Sequence, residues 1–461
     1  MISRRTCLSS AALLASGAAL LDRARLALGD GGALAQDPQA GHDMSGMVGM
    51  TPAPTAPTAA PVVPRRGALP YTPVVTPNGS TLPYKMKDGV KEFHLVAEPV
   101  EVELAPGMKV NAWGYNGSSP GPTIEAVEGD RVRFIVENRL PEHTTIHWHG
   151  ILLPAGMDGV GGLNQPQIQP GETYVYEFTL RQHGTHMYHP HADEMVQMAM
   201  GMMGFLIIHP RTPERQIDRD FCIFPHMWFI RPGTKTPDAS VMLEFNLFTF
   251  NGRAFPGTEA LVCRLGDRTR IRLANLSMTS HPIHMHGHQM WVTETDGGQI
   301  PRSAWWPETT INVIPGTTRA FEFVADNPGD WALHCHKTHH AMNAMGHDIP
   351  NMLGVDQKGV SSEISQLVRG YMAMGSSGMA EHAAHSEHMP SLPNTLPMMT
   401  GKGPFGPVEM GGMFTVLKIR DKLTSYDDPG WYDYPPGTVS WKVGSAPGDE
   451  SEKESEHAHG G

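Results

Sequence analysis

Thirteen residues near the middle of the chain concentrate metal-binding side chains: His334-Cys335-His336-Lys337-Thr338-His339-His340-Ala341-Met342-Asn343-Ala344-Met345-Gly346. A β-strand sends successive side chains to opposite faces. If this stretch is extended, His334 and His336 point one way and Cys335 the other, so two metal centres can share one strand. The sulfur then forms the electron lead between them. His340 and Met345 follow the cysteine in the next ten residues. A thiolate, imidazoles and a weak thioether are the ligands of a blue-copper electron-transfer site, which needs one more histidine from elsewhere. The competing reading is a reduced core cysteine among surface histidines.

The rest of the sequence decides between them. His147-Trp148-His149, His189-Pro190-His191, His281-Pro282-Ile283-His284-Met285-His286 and His334-Cys335-His336 each contain a His-x-His pair. On a strand both members of a pair face one side. Four pairs give eight imidazoles, too many for one metal and suited to three ions that also hold oxygen ligands from solution. His281, outside its pair, supplies the imidazole that the blue-copper site lacks.

Such register requires strands, and the bulk composition supports them. A chain of 461 residues is long enough for two or three domains with their own cores. Fifty glycines, 40 prolines and only 18% charged residues favour turn-rich β structure. Twenty-five histidines and 29 methionines exceed what packing needs, and methionine points toward soft Cu(I). A net charge of −12 argues against a nucleic-acid partner. Of four cysteines, Cys7 falls in a leader and Cys335 in the site. Cys222 and Cys263 either pair in an oxidising compartment or remain buried free thiols.

In chain order, residues 1–35 read as an export signal: Arg4-Arg5, an apolar run from Ala11 to Leu21, and Ala33-Leu34-Ala35 as a cleavage site. The paired arginines suggest the twin-arginine route and a periplasmic destination. No later stretch reaches the roughly 18 apolar residues of a membrane span. Residues 36–82 read as a disordered linker rich in Pro, Ala and Met. Its His42-to-Met50 segment is either a loose copper tether or a compositional bias. From Phe93 onward the pattern becomes short alternating runs between turn signals: Val100 to Leu104, Arg131 to Val136, Tyr174 to Phe178, then Arg268 to Leu273, Thr309 to Ile314 and Ala320 to Val324. That is an all-β chain of sandwich or barrel domains, with a first domain at 83–215 and a second at 216–425. Glu128 to Arg133 and Leu265 to Arg270 are similar to each other, and each precedes a histidine cluster. The second domain is interrupted at about 347–410, before a closing strand, Met413 to Ile419. This insertion carries a short helix, Ser361 to Tyr371, with Met372, Met374, Met379, Met389, Met398, Met399 and Met410. So long a loop inside a domain is functional or disordered. Residues 426–461 read as a polar, unstructured tail.

Over most of 93–346 the chain resembles the multicopper oxidases. The motifs are Pro120-Gly-Pro-Thr-Ile124, Thr145-Ile-His-Trp-His-Gly150, Met157-Asp-Gly-Val160, Gly184-Thr-His-Met-Tyr-His-Pro-His191 and Asp326-Asn-Pro-Gly329. The resemblance implies two cupredoxin-like Greek-key domains and four coppers per chain. His147 and His284 would hold type 2 copper. His149, His189, His191, His286, His334 and His336 would hold the type 3 pair. His281, Cys335 and His340 would hold type 1 copper, with Met345 axial and Met410 or Met413 as alternatives. Only about 90 residues separate His191 from His281, so a middle domain is missing, and Pro190 replaces a cysteine, so type 1 copper belongs to the second domain alone. Two-domain relatives build the trinuclear site between neighbouring subunits, which implies a homotrimer.

The chemistry expected is oxidation of a one-electron donor at type 1 copper, coupled through Cys335, His334 and His336 to four-electron reduction of O2 to water. Asp158 matches an acidic position that relays protons in relatives, or is simply a turn residue before Gly159. Asp193 and Glu194 are further candidates. The reductant expected is Cu(I), given the methionines; a laccase-like oxidase of phenols or aromatic amines is the alternative. Copper nitrite reductase has no type 3 pair, and a copper-storage protein would not need the Cys335 register.

Overall fold

A computed structural model describes residues 69, 71–231, 233–241, 245–342 and 401–443. Alternation builds the first domain. In Arg131–Asn138, Val132, Phe134, Val136 and Asn138 are buried and the residues between them are not. This strand lies in a sheet ordered Tyr84–Lys87, Val90–Ala105, Arg131–Asn138, Thr173–Thr179, with Met108–Tyr115 paired to the long second strand. Val90–Ala105 serves three partners: its first half runs antiparallel to Tyr84–Lys87 and parallel to Arg131–Asn138, and its second half antiparallel to Met108–Tyr115. The second sheet runs Ile124–Val127, Gly204–His209, Gly184–His189, His147–His149, so histidine-bearing strands occupy one side of it. Phe93, Phe134, Trp148, Phe178 and Tyr188 fill the space between the two sheets.

The second domain repeats the plan. One sheet runs Val74–Val75, Arg219–Ile223, Arg268–Asn275, Thr317–Val324, Met290–Thr295, Gly298–Gln299, with Trp306–Glu308 on Met290–Thr295. The other runs Leu261–Arg264, Phe414–Arg420, Gly329–Cys335, His281–Met285, Thr310–Val313. Phe221, Ile271, Phe321, Leu333 and Leu417 lie in their shared core. The chain is thus all-β, with two cupredoxin-like sandwiches. Among the described residues no helix is long and apolar enough to cross a membrane.

A buried ion cluster joins the sandwiches. Arg272, 1% exposed, donates to both Asp220 carboxylate oxygens at 2.8 and 3.0 Å, to Glu294 at 3.0 Å, and to Thr185 of the first domain at 2.7 Å. Thr185 in turn donates to Glu294 at 3.1 Å. Burial alone would raise the Glu294 pKa, but Arg272 and Arg270 hold it down to about 2.

The ordered chain extends beyond the limits expected from sequence. Within the presumed linker, Val74–Val75 pairs in parallel with Asp220 and Phe221, and Tyr71 stacks on His209 at 3.8 Å. These contacts correct the expectation of disorder up to residue 82. Part of the presumed tail also packs: Tyr432 donates its backbone N–H to Asp330 at 2.7 Å, and Arg420 lies over the Tyr432 ring. The end of the insertion forms a hairpin, Gly401–Gly403 with Gly406–Val408. Its expected helix, its methionines up to Met399, and Met345 lie outside the described residues, as do residues 1–60. Cys222 and Cys263 are buried free thiols.

Candidate metal centres

The first centre grows from the strand Gly329–Cys335, which lies between His281–Met285 and Phe414–Arg420. The register places Cys335 opposite Ile283 and His334 opposite His284. Cys335 therefore points into the core, and a 3-10 turn, Thr338–Ala341, carries His340 back over its sulfur. His281 Nδ1 and His340 Nδ1 stand 3.8 and 3.6 Å from Cys335 Sγ and 3.2 Å from each other. Donors so spaced enclose a hole of the size that a first-row metal fills at about 2.0–2.3 Å from nitrogen and sulfur. The side chains are held in place by a second layer of contacts. His281 Nε2 lies 2.6 Å from Ser277 Oγ, whose own hydrogen goes to Asn275 Oδ1 at 2.7 Å. That bond puts the ring hydrogen on Nε2 and leaves the Nδ1 lone pair facing the sulfur.

Burial pulls His281 down to about 2 and His340 to about 3, and pushes the Cys335 thiol up to about 11. Neutral imidazoles are the ligating form, and a bound cation would take the thiol's proton away. Phe248 stacks on His340 at 4.4 Å, while the exposed His339 meets the same ring edge-on at 4.3 Å. Met413, fully buried, donates its N–H to the His340 carbonyl and accepts the Cys335 N–H. It continues the register in which His334 faces Phe414, so its side chain shares the face of the sulfur. Met410 instead packs against Phe255, Phe414 and Val416.

The paired histidines form two quartets. His147, His149, His189 and His191 converge in the first domain, with ring centroids 5.3 to 5.6 Å from His147. Candidate ligand atoms of His147, His149 and His189 all lie within 4.8 Å of one another. His284, His286, His334 and His336 converge in the second domain, with centroids 4.8 to 5.7 Å from His284. The reason is the expected alternation. Trp148 points into the core and stacks on Phe134 at 4.0 Å, which turns His147 and His149 outward; Cys335 does the same for His334 and His336.

Backbone carbonyls fix the tautomers. His147 donates Nδ1–H to Asp158, His189 to Pro190, His284 to Thr309 and His334 to Cys335, at 2.7 to 3.0 Å. Each Nε2 then turns its lone pair into its quartet, where His189 Nε2 lies 3.2 Å from His149 Nδ1 and His334 Nε2 lies 3.2 Å from His286 Nε2. Among the described residues no ring of one quartet packs against a ring of the other. Within the chain the first quartet borders the second domain at Gly316, where an added Cβ would lie 4.0 Å from the His149 ring.

The Asp158 carboxylate stands 3.5 Å from His147 Nδ1, beyond the bond made by its own carbonyl. Gly159 permits this approach: its φ is +88°, and a Cβ there would collide with the Ile146 carbonyl oxygen. Glu194 stands 3.6 Å from His189 Nδ1, whereas Asp193 leads the short helix Glu194–Ala199 in a left-handed conformation. Ser277, Phe248 and Lys337 around the first centre carry no sequence signal, because they meet the ligands only through tertiary packing.

Two protein-family models, both described as multicopper oxidase, match residues 97–213 and 231–352. The chain is 45% identical over 138 residues to copper resistance protein A of Escherichia coli, covering 30% of this chain and 22% of that protein. It is 29% identical over 274 residues to a probable nitrite reductase-hydroxylamine oxidoreductase fusion protein of Kuenenia stuttgartiensis, covering 56% of this chain and 31% of that one. The chain thus spans less than a third of either curated relative. Among solved structures, a blue copper oxidase from Nitrosomonas europaea matches with a TM-score of 0.53 at 25% identity, over 71% of this chain and 85% of that one.

Proposed function

Because the chain belongs to the multicopper oxidase family, a family of oxidoreductases, we propose that it couples one-electron oxidation of a reductant to reduction of O2 to water. The observation that carries this reading is the placement of Cys335. Its sulfur lies in the His281–His340 cluster, while its bonded neighbours His334 and His336 lie in the second quartet. Copper at these positions would supply a one-electron acceptor beside the sulfur and an O2-reducing centre among the paired histidines.

In this reading His281, Cys335 and His340 hold type 1 copper, with Met345 axial and Met413 the alternative. His147 and His284 hold type 2 copper, and the other six paired histidines hold type 3, making four coppers per chain. Asp158 orients His147 and relays protons to the reduced oxygen. Since the quartets stay apart within one chain, the second centre closes between the first domain of one copy and the second domain of the next. Such a head-to-tail contact forms a ring, here of three subunits. The protein acts in the periplasm after export by the twin-arginine route.

The reductant we favour is Cu(I). The methionine-rich stretch at about 347–410 follows the turn that carries His340, thioethers select Cu(I), and one relative is named a copper resistance protein. A laccase-like oxidase of phenols or aromatic amines is the second reading. Removing residues 350–410 separates them: loss of Cu(I) oxidation with phenol oxidation kept or increased supports the first, and no change in either rejects it. Two full histidine quartets weigh against nitrite reduction, although one relative is named a probable nitrite reductase-hydroxylamine oxidoreductase fusion protein. Copper content, absorption and solution mass test the whole reading. It requires about four coppers per chain, an intense blue band and a trimer. Many colourless Cu(I) ions would instead indicate storage.

A further inference from the structure

Lys337 occupies an unusual place for a cation. It stands in the turn between Cys335 and His340, and its carbonyl accepts the His340 N–H at 2.9 Å. Its side chain then reaches across to the other ligand-bearing segment, where Nζ donates to Thr279 Oγ1 at 3.0 Å. Thr279 lies two residues before His281, and its carbonyl accepts the Asn275 side-chain amide at 2.8 Å, while Asn275 Oδ1 takes the hydroxyl hydrogen of Ser277, the residue that orients His281. The lysine side chain is half-buried. Among the described residues no carboxylate pairs with it. Within the described residues the ammonium is thus a positive charge without an acidic partner, laid between the segments that supply all three donors.

Resting on the type 1 assignment above, we infer that Lys337 raises the reduction potential of the copper held by His281, Cys335 and His340. Taking up an electron lowers the charge of that ion by one and leaves the ligands in place. A fixed positive charge nearby favours the state with less positive charge, and partial burial strengthens the effect relative to water. The lysine thus makes the centre a better electron acceptor than its donors alone would, and suits it to weak reductants. Its bond to Thr279 holds the charge in position and buttons the two ligand segments together.

The test is a redox titration of the full-length, copper-loaded protein, followed at its blue band, for wild type, Lys337→Met, Lys337→Gln, Lys337→Arg and Thr279→Val. Both neutral variants should keep the band and shift the midpoint downward. A tenfold change in the Cu(I):Cu(II) ratio, equivalent to 59 mV for one electron, is the size expected. Lys337→Arg should stay close to wild type, and Thr279→Val, which keeps the charge but frees it, should shift less than the neutral variants. An unchanged midpoint in a neutral variant that retains its band overturns the inference and leaves the copper site standing. Equal shifts in all four variants also overturn it, since the bond rather than the charge would then matter. A wild-type protein without a blue band overturns the site assignment and this inference together. If Lys337→Met does not fold, Lys337→Gln carries the measurement alone.

Discussion

Cys335 is the residue on which both centres converge, and its role can be separated from its packing. Cys335→Ser keeps the volume nearly constant but removes the thiolate, so the blue band should vanish while copper bound by the quartets remains. Steady-state turnover should fall to background, and metal analysis beside the spectrum checks both. Asp158 tests a different link. Its carbonyl, not its carboxylate, makes the 2.8 Å bond that fixes His147, so Asp158→Asn should preserve copper content and the blue band. Loss of a positioned proton donor should slow O2 reduction by about 10²–10⁴-fold, with the pH profile of turnover altered. Unchanged turnover in Asp158→Asn would return that residue to a turn-forming role. At this scale the sequence was highly legible. His-x-His pairs announce themselves by strand register, and Cys335 does so by being the middle residue of one of them. Ser277 and Phe248 were invisible because a serine four residues before a histidine, or a phenylalanine from a distant hairpin, has no pattern of its own.

Strands carried the same legibility as far as their length allowed. Arg131–Asn138 alternates clearly, whereas Thr317–Val324 alternates only in its first half, and the expected runs, Arg131 to Val136 and Ala320 to Val324, stop short of one end of each strand. The two-residue strand Val74–Val75 is too short for any period, and the packed segment around Tyr432 is ordered by bonds to Asp330 rather than by repeat. The run from Arg268 to Leu273 does form a strand, Arg268–Asn275, but its alternation does not reveal where its arginines lie. Arg268, Arg270 and Arg272 recur at every second position, and Arg270 and Arg272 are buried. Their face is turned toward Asp220, Glu294 and Glu322, and only the tertiary fold brings those carboxylates there. This layer has a measurable pH signature. The Glu294 pKa is lowered in the folded chain from 4.5 to about 2, so the stability it contributes is fully present above pH 4.5 and is lost as pH falls toward 2. Glu294→Gln leaves Arg272 partly unpaired in the interior and should cost about 3–5 kcal/mol at neutral pH. Its thermal unfolding should also depend less on pH between 4.5 and 2 than that of wild type. Parallel pH curves for the two proteins would show that Glu294 does not carry the titration.

The whole molecule poses the question that no element answers: eight paired histidines are present, but each domain gathers only four of them. A centre shared between copies makes a prediction that a centre within one chain does not. His189→Ala disables the first-domain quartet and His336→Ala the second-domain quartet, and neither protein alone should reduce O2. In a closed head-to-tail ring each centre pairs the first domain of one subunit with the second domain of the next. When the two variants are co-expressed in equal amounts, a centre is intact wherever a His336→Ala subunit donates its first domain to a His189→Ala neighbour. Random assembly produces this at about a quarter of the centres, whatever the size of the ring. Activity should therefore reappear at about a quarter of the wild-type level, in the oligomer fraction and not among monomers. Mixing the purified variants without exchange of subunits should restore nothing. If co-expressed variants stay inactive while each still forms the wild-type oligomer with an intact blue band, the quartets do not complete one another across subunits. The path from Cys335 through His334 and His336 would then end in a half-built centre, and reduction of O2 to water would have to be withdrawn.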